Sequence, residues 1–506
     1  MATLLLSAAC ASAHAQDSWT HAARTPQRVA RAAVSELPSL GDPAWRYDAG
    51  GAFASLGQGS PVISRVGVAI VVGTLGGEAH AIALDVASGN ERWHTPVPPP
   101  ALDSWSSPAI LDDLVVVASD RELLGLDLLT GHERWRTQLG GRVVNASPAI
   151  LGQPARVFIT TYDPFGGLAE LVSINADPFD ANANPFDPGE VVGRVSIGSA
   201  SGATPAVDGL VVFAALVSPD FIDPRGAISA FVRGAQGAPV SPPLWSTPNA
   251  EEIGFFGGVS TSAGGLFAAS YNFFGGRSNS NLVKLAASTG LPRWSTPAAR
   301  SSSTPIPLPD GRIVLSGGLD GFGSLATVQL FQDLGSAAER IWDLVDDTWH
   351  DADGNGKIDP GEYIRLGGWD HQPAVITAAG RTALLVGVPA DASDPFGGGN
   401  GLVLLDLDAH PGAPGFVLGA SPFGGGSPAV GEGMAISIGR SGVTAFDAGG
   451  DCLADCDDSG TVDVFDYLCF QNTFDAGNLA ADCDGSGSLD VFDILCFQVA
   501  FEGGCP

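Results

Sequence analysis

The feature that most constrains this chain is a ten-residue unit that recurs. LDVASGNERW occupies 84–93, LDLLTGHERW occupies 126–135, and a worn copy, LAASTGLPRW, occupies 285–294. In each, a glycine (Gly89, Gly131, Gly290) stands four residues before a tryptophan (Trp93, Trp135, Trp294). An alternating apolar run ends at Leu84 or Leu126. Asp, Ser or Thr and Gly then form a turn, with Gly free to take positive φ. The next strand starts at the Trp, whose ring covers the joint between neighbouring units.

A second landmark, a small residue and Pro ahead of a strand, marks the start of each unit. It reads SPVI at 60, SPAI at 107 and 147, TPAV at 204, TPIP at 304, QPAV at 372 and SPAV at 427, with STSA at 260 lacking the Pro. Eight starts 40 to 68 residues apart, with Gly-rich turns between short strands, predict an eight-bladed β-propeller, where closure hides the sheet edges. A solenoid or several sandwiches would be the alternatives, but units this short do not stand alone. The last unit stops at VTAFD, 443–447, without a Trp strand, while an orphan PAWRYDAGG stands at 43–51. Trp45 is therefore expected to supply the outer strand of blade eight and close the ring.

The LDxxTGxxRW turn resembles the repeat of the pyrroloquinoline-quinone-like propellers, which include quinoprotein alcohol dehydrogenases and outer-membrane assembly lipoproteins. The resemblance covers roughly 45–449 as a fold. The quinoprotein enzymes resemble one another in an adjacent cysteine pair beside the quinone, and residues 11–451 contain no Cys. No C-x-x-C-H haem site occurs, and His80, His94, His132, His371 and His410 form no metal-binding spacing. The Gly-rich stretches at 163–167, 273–281 and 394–401 read as loops, and the aromatics beside Gly pairs, Phe255, Phe256, Phe273 and Phe274, stand out among them.

The net charge of −31 excludes a nucleic-acid binder, which needs a positive surface for phosphates, and suits a protein that attracts cations. MATLLLSAACASAHAQ reads as an export signal over 1–15, with Ala13-His14-Ala15 as the cleavage site; acylation at Cys10 is an alternative. No later run is long enough to span a bilayer. Residues 16–44 read as a linker. The remaining cysteines, Cys452, Cys456, Cys469, Cys483, Cys496 and Cys505, all lie in the last 55 residues and read as a disulfide framework, with Cys452–Cys505 tying its ends.

Residues 351–362, DADGNGKIDPGE, have the order of a calcium loop. Calcium takes six to eight hard oxygens. Asp351, Asp353, Asn355 and Glu362 fall at ligand positions 1, 3, 5 and 12, Lys357 offers its carbonyl, and Asp359 acts through water. Gly356 makes the sharp turn and Ile358 is the apolar plug. The loop lies in an insertion, 343–371, within the longest interval between landmarks. Trp342 is expected to be a strand residue followed by a short helical turn.

The tail, 451–506, repeats this spacing twice, 27 residues apart, each loop leading into an apolar helix start. It resembles a type I dockerin, two loop–helix repeats without entering helices. Carried over, that resemblance makes Asp455, Asp457, Ser459, Thr461, Asp463 and Asp466 ligands of one calcium. Asp482, Asp484, Ser486, Ser488, Asp490 and Asp493 become ligands of a second, with Thr461 and Ser488 contributing carbonyls. Dockerins of cellulosomes generally lack such cysteines and carry basic recognition residues, whereas this tail has twelve acidic residues and no Lys or Arg. Calcium and disulfides are expected to hold it together against that repulsion.

The sequence thus points to an exported, secreted, cell-surface or periplasmic monomer without enzymatic activity. The propeller would be its interaction platform and the calcium-stabilised tail its docking or sorting module. The expected partner is a cohesin-like or cell-surface protein, or a polysaccharide. The alternative is an enzyme, either a quinoprotein-type dehydrogenase or a carbohydrate-active hydrolase with a dockerin-like module.

Overall fold

The computed structural model describes residues 18–503 apart from 56–58, 101–103, 105, 163–168, 199–200, 218–225, 249–253, 263, 273–276, 278, 321–323, 360, 379, 390–398, 441, 449–453, 457–461, 476–480, 482, 484–488 and 490. The signal segment, Cys452 and Cys505 lie outside the described residues. Eight antiparallel sheets form an eight-bladed β-propeller, followed by a small helical region. Blade one runs from its inner strand Val62–Ile63 through Val68–Leu75 and Glu78–Asp85 to Glu91–Pro96. The central strands are almost wholly buried, as expected for sheets covered on both faces.

Every residue type in the repeated turn has a physical task. Asp85 accepts from the Ser88 backbone N–H (2.9 Å), and Asp127 from that of Thr130 (2.9 Å). Gly89 and Gly131 sit at φ 70°, a conformation only glycine takes without cost. Arg92 returns to Asp85 and Arg134 to Asp127, both at 2.6 Å. The Trp then leaves its own blade. Trp93 donates its indole N–H to Leu128 O of blade two (2.9 Å), and its ring lies where a Cβ on Gly131 would stand, 2.5 Å away. Trp245 treats Ala287 and Gly290 of blade five in the same way. Thr95, two residues after Trp93, completes the joint by donating to Gly131 O (2.7 Å). The ring needs glycine at the turn both for φ and for the space the neighbour's indole takes.

Closure follows the expected path. Trp45–Tyr47 pairs antiparallel with Gly442–Asp447 as the outer strand of blade eight. Trp45 donates to Val86 O of blade one (2.7 Å) and covers Gly89. Trp45–Tyr47 and the last strand of the propeller therefore share one sheet, and the same lock joins blade eight to blade one. Trp342 lies in the strand Ala338–Asp343, and the short helix Leu344–Thr348 follows it, capped by Asp343.

Two expectations need correction. The inner strand of blade five is Val259–Ser262, so the position matching the small residue–Pro landmark is Gly257-Gly258, not Ser260. Glycine there removes both cues, which is why the sequence pattern slips. Residues 18–34, expected as part of a linker, line the inside of the ring. Trp19 exchanges backbone hydrogen bonds with Ile63 of blade one. The amides of Ile110, Val207, Thr261 and Val375, on blades two, four, five and seven, donate to Thr20, Pro26, Gln27 and Ala30 carbonyls at 2.8–3.0 Å. Arg31–Ala33 adds a parallel strand to the inner edge of blade seven. Inner strands otherwise present unpaired edges, and this segment satisfies them. It was illegible because its backbone partners are edges of five blades rather than one strand.

Replacing Gly131 with Ala forces an L residue into positive φ and pushes Trp93 off its seat. We expect a loss of about 2–4 kcal/mol in urea unfolding. Gly198→Ala, at φ 77° with open space around it, should cost only about 1 kcal/mol. Equal costs at the two positions would refute the lock.

Candidate functional site

Two places in the described residues gather polar groups, the axis of the ring and the acidic loop. At the axis, the landmark residues prove to be a belt. The Ser60 backbone N–H donates to Ser107 Oγ (2.8 Å), Ser107 to Ser147 Oγ (2.9 Å) and Ser147 to Thr204 Oγ1 (2.9 Å). Thr304 N–H donates to Gln372 Oε1 (2.8 Å), and Gln372 N–H to Ser427 Oγ (2.9 Å). Each following Pro has no N–H and holds the residue before it extended, so the side chain reaches across to the neighbouring blade. Gly257 offers no side chain, and the belt has a gap there. Arg28, from the N-terminal segment, spans that gap: its Nη1 donates to Thr204 O (3.0 Å) and Gly257 O (2.7 Å). Arg28 sits at φ 63°, strain that its two bonds hold in place.

A cavity on the axis is floored by Ala22, Ala23 and Arg28 and walled by the belt hydroxyls, Phe256 and Asp370. Phe256 packs edge-on against Tyr271 (4.7 Å between ring centres), and Tyr271 in turn lies 5.5 Å from Trp369. Phe255, by contrast, is buried in the core of blades four and five. Burial pushes the Asp370 carboxyl up to about 7 and holds its neighbour His371 neutral, its pKa lowered to about 3. His371 Nε2 accepts from Gly387 N–H (2.9 Å), a structural role. Among the other histidines, His94 pairs with exposed Glu91 (2.7 Å), and His80 lies beside it with ring centres 5.3 Å apart.

The acidic loop is folded around its carboxylates. Asp351, Asp353 and Glu362 bring ligand oxygens within 4.8 Å of one another, a cluster that could hold a metal ion. Asp351 accepts from the backbone N–H groups of Gly354 (2.8 Å), Asn355 (3.1 Å) and Gly356 (3.0 Å). Gly354 and Gly356 take φ 74° and 72° to permit this. Asn355 Nδ2 reaches Asp353 (2.8 Å) and Asp359 (2.6 Å), so five of the predicted positions lie in one network. Glu362 accepts from Ala352 N–H (2.8 Å), and these backbone bonds lower its pKa. The donors are all oxygen, the set that suits a hard cation. The helix Leu344–Thr348, pinned by buried Asp343, delivers the chain to the loop.

In the tail, Asp455, Asp466 and Asp493 are buried, and Asp466 accepts from Asp463 N–H (2.8 Å). Asp457, Ser459, Thr461, Asp482, Asp484, Ser486, Ser488 and Asp490 lie outside the described residues. Disulfides Cys456–Cys469 and Cys483–Cys496 each tie a loop to its helix with the same separation of 13. The helices Val464–Asp475 and Val491–Gly503 meet through stacked Phe470 and Phe497, 4.0 Å apart.

A family model described as outer membrane protein assembly factor BamB matches residues 26–178. No curated protein matches the chain. Among solved structures, a europium-containing methanol dehydrogenase is 11% identical, with a TM-score of 0.55 over 98% of this chain and 96% of that one. A quinohemoprotein alcohol dehydrogenase from Comamonas testosteroni is 13% identical, with a TM-score of 0.53 over 86% and 81%. What the chain shares with these structures is the propeller fold. At these identities the likeness is one of architecture, and activity does not travel with it.

The buried Asp370 makes stability depend on pH. Its folded pKa, about 7, stands above its ordinary 3.8. Its contribution to stability is therefore full below pH 3.8 and is lost as pH rises through 7. Asp370→Asn should be more stable than the wild type at pH 8, and the difference should shrink towards pH 4, read from urea midpoints. A pH-independent difference would contradict this burial.

Proposed function

We propose that the chain is an exported binding or scaffold protein, secreted or held in the periplasm or at the cell surface, without enzymatic activity. In this reading the propeller is the interaction platform and the tail a docking or sorting module for a surface protein or polysaccharide. The observation that carries it is the course of residues 18–34, whose hydrogen bonds occupy the inner edges of the blades around the axis. A chain whose own N-terminal segment covers the inner edges of its blades is built as a rigid platform, with its loops free to bind. Among the described residues no helix is long and apolar enough to cross a membrane, which suits a platform attached by its tail.

Calcium is the cation we assign to 351–362 and to the tail, on the all-oxygen donor sets and their spacing. In the propeller its role is to stiffen the crossing between Trp342 and the strand Ala374–Ala378. Calcium at ten times its Kd should then stabilise by about 1.4 kcal/mol at that site. Asp351→Asn with Glu362→Gln should abolish the calcium-dependent rise of the propeller's thermal transition, and a rise of unchanged size would rule the site out. For the tail, chelation and reduction together should open 451–506 to protease; unaltered resistance would count against calcium-dependent folding.

A second reading, a quinoprotein-type dehydrogenase, is favoured by the likeness to two alcohol-oxidising enzymes and by one buried carboxyl, Asp370, at the axis. Incubating the full chain with pyrroloquinoline quinone and calcium separates the two. The scaffold reading expects no retained quinone absorbance after gel filtration and no alcohol-dependent dye reduction. Stoichiometric quinone with dye reduction would establish the enzyme.

A further inference from the structure

Two residues that line the axial cavity each bury a polar atom left without a hydrogen-bond partner. Among the described residues, Asp370 Oδ2 has no hydrogen-bond partner, and neither has Arg28 Nε. Both residues are largely shut off from solvent and both line the same cavity. Each orphan is costly, since a buried polar atom left unpaired forfeits the hydrogen bonds it had in water. A fold that needed only to fill its axis would use apolar side chains, as the blades do elsewhere. The two groups are opposite in charge and stand on different elements. Arg28 is pinned to blades four and five through Thr204 and Gly257, whereas Asp370 stands in the segment that leads into blade seven. The lining also includes Ser302, Ser303 and Phe256. The Ser302 hydroxyl is a third buried group without a partner among the described residues.

We propose that this cavity binds a small zwitterion, a free α-amino acid with a small side chain. The ammonium group would meet the Asp370 carboxyl and the carboxylate would meet the Arg28 guanidinium. The wall chemistry fits this class on three counts. A cation gives Asp370 the partner it lacks, and an aromatic face such as Phe256 tolerates the ammonium beside it. A planar carboxylate is what a guanidinium N–H fork recognises best. The remaining surface is hydroxyl-lined and small, which admits a short polar molecule and disfavours long apolar side chains. The site goes beyond the scaffold reading and does not depend on it, because a quinone test and an amino-acid test read different ligands.

Titration calorimetry on the full chain in constant calcium tests the proposal, with free glycine and alanine as probes and ethylammonium, acetate and glycerol as controls. Saturable binding of glycine or alanine is expected, with ethylammonium and acetate each weaker by about tenfold or more, the effect of losing one charged contact. Asp370→Asn, nearly isosteric, should lower glycine affinity at least as much while leaving the thermal transition cooperative. The proposal is overturned if the folded wild type shows no saturable binding of either amino acid. It is equally overturned if acetate binds as tightly as glycine, or if Asp370→Asn binds glycine undiminished.

Discussion

The structure depends on one joint repeated around a ring, an indole from one blade seated on the turn glycine of the next. Burying an indole removes roughly 150–250 Å² from water, on the order of 4–6 kcal/mol at about 25 cal/mol per Å². That term acts between blades, where no backbone ladder runs. Where the joint departs from the pattern, something else fills the seat. Trp294 donates to Asp333 in blade six (2.9 Å), and Trp342 packs edge-on against Phe416 in blade seven. Blade three has no Trp in its outer strand, and Gly193 lies there against Ala238 of blade four. A closed ring tolerates such substitutions because each blade is held by two neighbours.

Much of this was legible because the repeat encodes local physics. Asp, Ser or Thr, Gly and Arg make one turn, and the Trp four residues on from the Gly must go somewhere apolar. The orphan Trp45 could be assigned to blade eight by counting, and Trp342 to a strand by its place in the unit. Three things were not legible. The landmark of blade five is a Gly pair without a side chain to recognise. The N-terminal segment HAARTPQRVARAAV shows no strand period, because its hydrogen bonds go one by one to edges of different blades. Asp370 carries no motif at all: it is one acidic residue among 55, singled out by burial and by an oxygen with no partner. In the acidic loop the reverse held, since ligand spacing is itself local, and Asp351, Asp353 and Glu362 converge where the spacing puts them.

These features describe a division of labour. The joints and the hydroxyl belt set the ring, and the N-terminal segment seals its inner edges. Arg28 joins the last two: it supplies across Gly257 the link that Ser, Thr or Gln supplies elsewhere, and it brings a charge to the axis. The acidic loop stands outside this, on a crossing between blades six and seven, and the tail packs its own small aromatic core between two disulfide-tied helices.

The central claim is that residues 18–34 are part of the propeller rather than a leader to it. Hydrogen–deuterium exchange of the native chain tests this most directly. Peptides covering 18–34 should exchange slowly, in step with the inner-strand amides of Val207, Thr261 and Val375 that bond to them. Rapid exchange of 18–34, with those inner-strand amides equally unprotected while the central strands stay slow, would contradict it.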